Sequence, residues 1–323
     1  MDTLKLGTRG SQLALFQANA VAALLRERAG VECEIVVVRT SGDRLAEATL
    51  AEVGGKRLFV KEIEDALIAR TIDLAVHSSK DMPVVLPAGL AIGAALPRED
   101  ARDVIVLPHG SATSLTLDEV ARLLGRAPTI GTSSIRRTAQ LTRLFPGATF
   151  LPIRGNLDTR LRKLDEGNYD AIVLAAAGLK RLEHGERISG TLAVDACVPA
   201  PGQGIIAVEI RSDDVRVHDL VSRVDAPVSS AALAAERAVV MRLGGGCQMP
   251  IGAYAESVDN ELRMIASVIS PDGSRVARAE SRGTMTSAER IGIEAAELLL
   301  ARGAAEILAD VERMHGAVEG LQP

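Results

Sequence analysis

Short apolar runs and amphipathic segments alternate along the first hundred residues. Residues 4–8, 33–39, 72–77 and 90–96 have the apolar, β-branched character of strands. Residues 11–28 and 58–70 place apolar side chains on one face at the spacing of a helix. This alternation predicts parallel or mixed β-sheets that helices cover on both faces.

The same alternation begins again after Pro97. Strands are predicted at 104–107, 129–131, 150–153 and 171–174, with helices at 134–145 and 157–166. From residue 229 the order changes to a helix, three strands and a helix, and we expect residue 247 to open the first of these strands. The pattern therefore predicts an α/β fold with two α/β domains of similar size flanking a cleft, plus a smaller C-terminal α+β domain.

The composition narrows the classes of partner. The chain has 323 residues, a net charge of -5, no Trp and few other aromatic residues, which weighs against binding nucleic acid by base stacking. Its three cysteines, Cys33, Cys197 and Cys247, form no CxxC motif, so we expect a reducing compartment, no disulfide framework and no metal site. Neither a signal peptide nor an apolar run of membrane-spanning length is found, which predicts a cytoplasmic protein.

Hydroxyl and basic side chains cluster where predicted strands pass into helices. A strand ends at Gly131, and the hydroxyl residues 132–134 then precede a helix that begins with Arg136 and Arg137. N-cap hydroxyls, backbone N–H groups and the helix dipole favour an anion at such a turn. Two arginines so close to a helix N-terminus also call for a compensating anion. The alternative for this segment alone is a capped helix with solvated arginines.

A wider basic region surrounds this turn. From residue 126 to residue 163 there are eight Arg and Lys residues and a single acidic one, Asp158. Such a surplus in an acidic chain points to a small polyanionic ligand. Arg154-Gly155-Asn156 follows a strand in the same manner, with Asn156 as the expected N-cap, and Arg9-Gly10-Ser11 repeats the design near the N-terminus.

Two further segments carry reactive groups. Lys80 and Asp81 follow a strand and precede Pro83, a position suited to chemistry in a cleft, although a surface ion pair is the alternative. Cys247 follows three glycines, which leave its thiol room to approach or to bond a ligand. The alternative for Cys247 is a small buried residue at a helix end. Together these groups predict an enzyme whose substrate has several carboxylates.

The chain resembles the porphobilinogen deaminases, also called hydroxymethylbilane synthases. The resemblance runs from residue 8 to residue 252 and continues more weakly beyond. The matching segments are 54–62, 77–83, 97–100, 131–137, 154–160, 177–181, 201–204 and 245–247. The resemblance implies two α/β domains like those of periplasmic binding proteins, plus the C-terminal α+β domain. It places the first domain at 1–99 and 203–221, the second at 103–196 and the third at 226–323.

The resemblance also implies an activity and roles for individual residues. The activity is that of a transferase that deaminates four porphobilinogen molecules, joins them head to tail on a covalent dipyrromethane primer and releases linear hydroxymethylbilane. Asp81 and Lys80 would be catalytic, and Cys247 would carry the dipyrromethane by a thioether. The other cofactor-binding residues implied, beside Lys80 and Asp81, are Thr132, Ser133, Ser134, Arg136, Arg137, Arg154 and Gly155. The substrate-binding residues implied are Arg9, Ser11, Arg154, Arg160, Arg181 and Gln203, and the flap residues are Lys56 and Phe59.

The family further implies a monomer that passes its product to a uroporphyrinogen-III synthase. Two other readings of the residues remain open at this point. A two-lobed carboxylate-binding protein without catalysis would share the cleft and the arginines, but would not need Asp81 beside Lys80 or an anchor at Cys247. A cysteine acyltransferase would need a histidine base near the thiol, and none of the five histidines lies near Cys247 in sequence.

Overall fold

A computed structural model describes residues 3–40, 60–246 and 249–319, with the side chains of 315–319 left out. The predicted flap residues Lys56 and Phe59 and the predicted cofactor anchor Cys247 therefore lie outside the described residues. The described strands and helices follow here in chain order.

The strands are β1 (Leu4–Thr8), β2 (Cys33–Val37), β3 (Leu74–Ser78), β4 (Leu90–Ala95), β5 (Asp103–Val106), β6 (Thr129–Gly131), β7 (Thr149–Leu151), β8 (Ala171–Ala175), β9 (Gly190–Thr191), β10 (Ile206–Arg211), β11 (Ile251–Val258), β12 (Glu261–Ile269) and β13 (Val276–Thr284). The α-helices are α1 (Gln12–Ala29), α2 (Lys61–Ile68), α3 (Leu117–Leu124), α4 (Ile135–Leu144), α5 (Leu157–Asp165), α6 (Ala176–Arg181), α7 (Val215–Val221), α8 (Pro227–Leu243), α9 (Ala288–Leu300) and α10 (Ala304–Glu319).

Two five-stranded sheets share one design. The first has the order β2-β1-β3-β10-β4 and the second β7-β6-β8-β5-β9. In each sheet the first three strands are parallel, and one strand, β10 or β5, lies antiparallel to both of its neighbours. The chain passes from the first sheet to the second after β4 and returns before β10. The prediction of two α/β domains is therefore confirmed, whereas the residue limits given for each domain remain a prediction.

The C-terminal part is the smaller α+β domain that the pattern predicted. Strands β11, β12 and β13 form an antiparallel sheet whose apolar face packs on α8 and α9 around Val239, Met264 and Ile291. The prediction of a single final helix was wrong, because α9 ends at Leu300 and α10 begins at Ala304. Gly303 between them has a φ of 86°, in the left-handed region that interrupts a helix. Strand β11 begins at Ile251, four residues beyond the expected start at residue 247.

The candidate site lies where the parallel strands end. Strand β1 leads into α1 and β3 leads into a 3-10 turn at Ser79–Asp81. In the second sheet, β6 leads into α4 and the residues after β7 lead into α5. Because the carboxyl ends of parallel strands meet at one edge of a sheet, these four turns carry the predicted site residues to the cleft edges of the two sheets.

Candidate active site

The turn after β3 presents Lys80 and Asp81. The Ser79 N–H donates to the Ile205 carbonyl oxygen at 3.0 Å, and the Met82 N–H donates to the Ser79 carbonyl oxygen at 3.1 Å, which fixes the turn against the segment before β10. Met82 is buried beneath it. The Asp81 side chain is exposed, and Lys80 is half-buried. The turn thus holds an accessible carboxylate next to a partly desolvated ammonium group.

Lys80 has a perturbed ionisation. Burial, followed by the positive charge of Arg137, lowers the pKa of Lys80 to about 8, although the carboxylates of Asp81 and Asp103 act in the opposite direction. Its Nζ donates a hydrogen bond to Gln203 Oε1 at 3.3 Å. Lys80 of the first sheet is therefore electrostatically coupled to Arg137 of α4, which packs on the second sheet.

Arg136 and Arg137, the arginine pair at the start of α4, have their compensating anion within the chain. Arg136 Nη1 donates to Asp103 Oδ2 at 2.7 Å, while Arg137 Nε and Nη2 donate to Asp103 Oδ1 at 3.0 and 2.8 Å. Asp103 is fully buried, and the two arginines are 5% and 7% exposed. These guanidinium groups hold the pKa of Asp103 far below its usual range, although burial acts strongly in the opposite direction.

Asp103 was not predicted as a site residue from the sequence. Its partners are 33 and 34 residues away, so nothing local announces the contact. One signal was present, because Asp103 opens the otherwise apolar strand Val104-Ile105-Val106, and an acidic residue entering a buried strand needs a cation.

Arg160 of α5 adds a second desolvated cation. Its Nε donates to the Gly155 carbonyl oxygen at 2.8 Å. Burial, together with the positive charges of Arg137 and Arg154, lowers the pKa of Arg160 to about 10, although the carboxylate of Asp81 acts in the opposite direction. Arg160 therefore lies within electrostatic range of Asp81 on the facing sheet, and the two sheets bring their site residues together.

The hydroxyl residues after β6 hold the loops of the second sheet. Ser133 Oγ donates to the Ile153 carbonyl oxygen at 2.8 Å and accepts from the Ile153 N–H at 3.0 Å. Ser134, one of the hydroxyl residues expected in N-cap positions, is the N-cap of α4, and its Oγ accepts from the Arg137 N–H at 3.4 Å. Thr132 Oγ1 accepts from the Ser134 N–H at 3.2 Å. These contacts fix the backbone from which the arginine pair projects.

The remaining predicted residues lie around the same cleft. Arg9 and Ser11 line an open pocket together with His77 and Asp81. Ser11 is the N-cap of α1. Arg181 Nη2 donates to the Gly204 carbonyl oxygen at 2.7 Å, next to Gln203 in the segment that returns to the first sheet.

The predicted basic region is not one continuous surface. Arg143 donates to the Gly273 carbonyl oxygen at the C-terminal domain, and Arg162 pairs with Glu166 on the exposed face of α5. Asp103 neutralises part of the charge of the arginine pair. Arg160, near Gly155, is a cation of this region within electrostatic range of Asp81, and Lys80 adds a further cation from outside the region.

The described part of the chain has neither a metal-binding cluster nor a membrane-spanning helix. No group of three or more His, Cys, Asp or Glu residues there is arranged to hold a metal ion. None of the described helices has the length and apolar character needed to cross a membrane.

Comparison with known proteins yields one family over nearly the whole chain. A family model described as porphobilinogen deaminase, dipyromethane cofactor binding domain, matches residues 4–219, and the C-terminal domain of the same family matches residues 231–301. A porphobilinogen deaminase of Moorella thermoacetica is 46% identical over 99% of this chain and 100% of its own length. That of Carboxydothermus hydrogenoformans is 45% identical over 95% of this chain and 96% of its own.

Solved structures give weaker likenesses. The BvgS periplasmic VFT2 domain of Bordetella pertussis matches with a TM-score of 0.40 and 19% identity over 69% of this chain and 86% of its own. Substrate-binding domain 2 of GlnP from Lactococcus lactis matches with a TM-score of 0.44 and 11% identity over 69% of this chain and 87% of its own.

Proposed function

Because the chain belongs to the porphobilinogen deaminase family, we propose that Asp81 and Lys80 carry its chemistry in the cleft between the first two sheets. The activity is that of a transferase of tetrapyrrole biosynthesis. It deaminates four porphobilinogen molecules, joins them head to tail on a dipyrromethane primer and releases linear hydroxymethylbilane. The non-catalytic carboxylate-binding alternative is not favoured.

The side chains of the cleft suit a polycarboxylate. Burial lowers the pKa values of both Lys80 and Arg160, and the positive charge of Arg137 lies close enough to lower both of them as well. A cluster of desolvated cations is stabilised by bound anions. Each pyrrole of a dipyrromethane carries two carboxylates, so the residues present fit this cofactor. We propose that they hold it together with Arg136, Arg154, Gly155 and the hydroxyl residues Thr132, Ser133 and Ser134.

When bound, the dipyrromethane supplies the pyrrole carbon to which the first substrate is joined. We assign its attachment to Cys247 through a thioether. Burial raises the pKa of the Cys197 thiol to about 12, and burial and Glu32 raise that of Cys33 to about 11. Both are therefore poor nucleophiles at neutral pH. These shifts support Cys247, which follows three glycines, as the reactive cysteine.

Asp81 acts on the substrate as ammonia leaves. Loss of ammonia from the aminomethyl group leaves positive charge on the pyrrole, and a carboxylate close to the pyrrole nitrogen stabilises that charge. The exposed position of Asp81 on its turn suits this contact. The same carboxylate oxygen can then hold the proton that the attacking carbon loses.

The cations around Asp81 orient the substrate. Lys80 and Arg160 approach Asp81 from the two sides of the cleft and bind acetate and propionate groups. Arg9, Ser11, Arg154, Arg181 and Gln203 complete the proposed substrate contacts. The observation that carries the proposal is the convergence of one accessible carboxylate with desolvated cations from both sheets.

A matched pair of variants on α5 tests this assignment. Arg160→Leu removes the cation beside Asp81, whereas Arg162→Leu removes an exposed arginine that is paired with Glu166. We expect Arg160→Leu to raise the KM for porphobilinogen at least about tenfold, from the loss of a charge-assisted contact, with a nearly unchanged melting temperature. Arg162→Leu should behave like the parent protein. Equal kinetic effects of the two variants would contradict the proposal.

The compartment, the oligomeric state and the enzyme that receives the product are further parts of the proposal. We expect a cytoplasmic monomer that releases its product to a uroporphyrinogen-III synthase, since linear hydroxymethylbilane must be closed by another enzyme. Sedimentation velocity tests the monomer, and a coupled assay with a purified synthase tests the transfer.

A further inference from the structure

One buried carboxylate has no role in the functions assigned above. Asp103 is completely buried at the start of β5, and both of its oxygens are occupied. Oδ1 accepts from Arg137 Nε and Nη2 and from Gln203 Nε2, the last at 2.9 Å. Oδ2 accepts from Arg136 Nη1 at 2.7 Å and from Cys197 Sγ at 3.4 Å. Asp103 is therefore the centre of a hydrogen-bonded network.

The network extends from the second sheet to the turn of the first. Gln203 Nε2 also donates to the Ala101 carbonyl oxygen at 2.7 Å, so the amide nitrogen faces two acceptors. An amide presents its donor and its acceptor on different atoms, which directs Gln203 Oε1 toward Lys80 Nζ, 3.3 Å away. Asp103 thus fixes the amide, and the amide orients the ammonium group.

We propose that Asp103 is a positioning residue for the condensation reaction, which holds Arg136 and Arg137 on one side of the cleft and, through Gln203, orients Lys80 on the other. The proposal rests on the roles assigned above to Lys80 and Arg137. In this role a single carboxylate orients cations from both sheets relative to one another.

The charges around Lys80 distinguish a positioning role of Asp103 from a purely structural one. The charged groups that face Lys80 are Asp81 on its own turn, Asp103 on β5, and Arg136 and Arg137 on α4. The two carboxylates stabilise the ammonium form, and the two guanidinium groups destabilise it. Without the charge of Asp103, Lys80 would face two cations and only one anion, so it would lose its proton at a lower pH.

The first test is Asp103→Asn, which keeps the shape and removes the charge. The ionisation of Lys80 is read from the pH dependence of its acetylation in competitive labelling, followed by peptide mass spectrometry, with no substrate present. We expect the midpoint for Lys80 to fall by about one pH unit. With porphobilinogen, kcat/KM should fall about fivefold at pH 8 and much less at pH 6.5, where Lys80 regains its proton. An unchanged Lys80 midpoint in folded protein would overturn the proposal.

A second pair of variants keeps the inference testable should the loss of Asp103 prevent folding. Gln203→Leu leaves Asp103 with its arginines but breaks the connection to Lys80. Gln140→Leu is the control, because Gln140 is an equally buried glutamine that bonds the backbone of Val198 and has no contact with Lys80 among the described bonds.

Both glutamine variants should melt at a lower temperature than the parent protein. Only Gln203→Leu should also lower the Lys80 midpoint and kcat, because Lys80 loses the acceptor that stabilises its charged form. The same Lys80 midpoint in both variants would overturn the proposal. Because labelling needs no substrate, this failure is distinguishable from a failure of the catalytic assignment, which would show as a shifted midpoint with unaltered kinetics.

Discussion

Two acidic residues at the cleft lie in opposite surroundings. Asp81 is exposed on a short turn, where its carboxylate can meet a substrate. Asp103 is fully enclosed by two arginines and an amide, so it can act only through those neighbours. Burial thus separates a group suited to chemistry from a group suited to positioning, although both are aspartates within one site.

The exposure of Asp81 leads to a kinetic prediction. Asp81→Asn should lower kcat about 100-fold or more, since the amide cannot stabilise the positive charge that develops as ammonia leaves. The melting temperature should not change, because the side chain is not part of the core. The control is Asp118→Asn, at an exposed aspartate on α3. A kcat for Asp81→Asn equal to that of the control would remove Asp81 from the mechanism.

At the scale of elements, the sequence predicted the turns of the site better than their contacts. The hydroxyl residues 132–134 were expected in N-cap positions, and one of them, Ser134, is the N-cap of α4. Asn156 was expected as an N-cap and occupies that position before α5, although its side chain makes no capping hydrogen bond. Such signals are local, because a cap and its helix are neighbours in sequence. Helix α3 was missed although Thr116 and Glu119 form a capping box at its start.

Contacts between distant segments could not be predicted in the same way. Strand β10 enters the first sheet more than a hundred residues after β4, and its place between β3 and β4 depends on the whole fold. The Asp103 network depends on that return, since Gln203 lies in the segment that leads into β10. Local patterns and the family resemblance together named the candidate site residues, whereas the acidic start of β5 indicated only that Asp103 needs a cation, and not which cation.

Gly155 provides a prediction at the same scale. Its φ is 109°, and a Cβ at this position would lie 2.6 Å from Thr159 Cγ2 in α5. Gly155→Ala should therefore disturb the turn that holds Arg154 and Arg160, and destabilise the protein by about 1–3 kcal/mol. The KM for porphobilinogen should rise with it.

Gly167→Ala is the matched control for that turn. Gly167 follows the other end of α5 with a φ of 82°, but a Cβ there would meet nothing within 4 Å. Its thermal defect should be about 1 kcal/mol, with an unchanged KM. If the two variants have the same free energy of unfolding by chemical denaturation and the same KM, the turn at Gly155 does not position Arg154 and Arg160.

At the scale of the whole molecule, one carboxylate joins the C-terminal domain to the connections between the first two sheets. Glu236 of α8 is fully buried, and its Oε2 accepts from Arg98 Nη2 at 2.7 Å and from the Gly202 N–H at 2.6 Å. Its Oε1 accepts from the Ala255 N–H at 2.7 Å in β11. Arg98 follows β4, and Gly202 precedes β10, so both crossings of the chain meet at this one side chain.

Removing the negative charge of Glu236 should weaken the contacts between the domains and destabilise the protein. Glu236→Gln leaves the largely buried Arg98 without its partner, and we expect a loss of about 3–5 kcal/mol in the free energy of unfolding. Glu297→Gln, which breaks the half-exposed pair with Arg242, should cost at most about 1 kcal/mol. Urea unfolding measures both, and equal costs would show that Glu236 does not join the domains.

We propose that this chain builds a tetrapyrrole on a primer held by Cys247. The most direct measurement is the intact mass of the purified protein before and after incubation with porphobilinogen, for the parent chain, Cys247→Ser and Cys197→Ser. We expect a mass excess of two porphobilinogens minus two ammonias in the parent and in Cys197→Ser, and no excess in Cys247→Ser. An excess that persists in Cys247→Ser, or a parent mass that porphobilinogen never changes, would contradict the proposal.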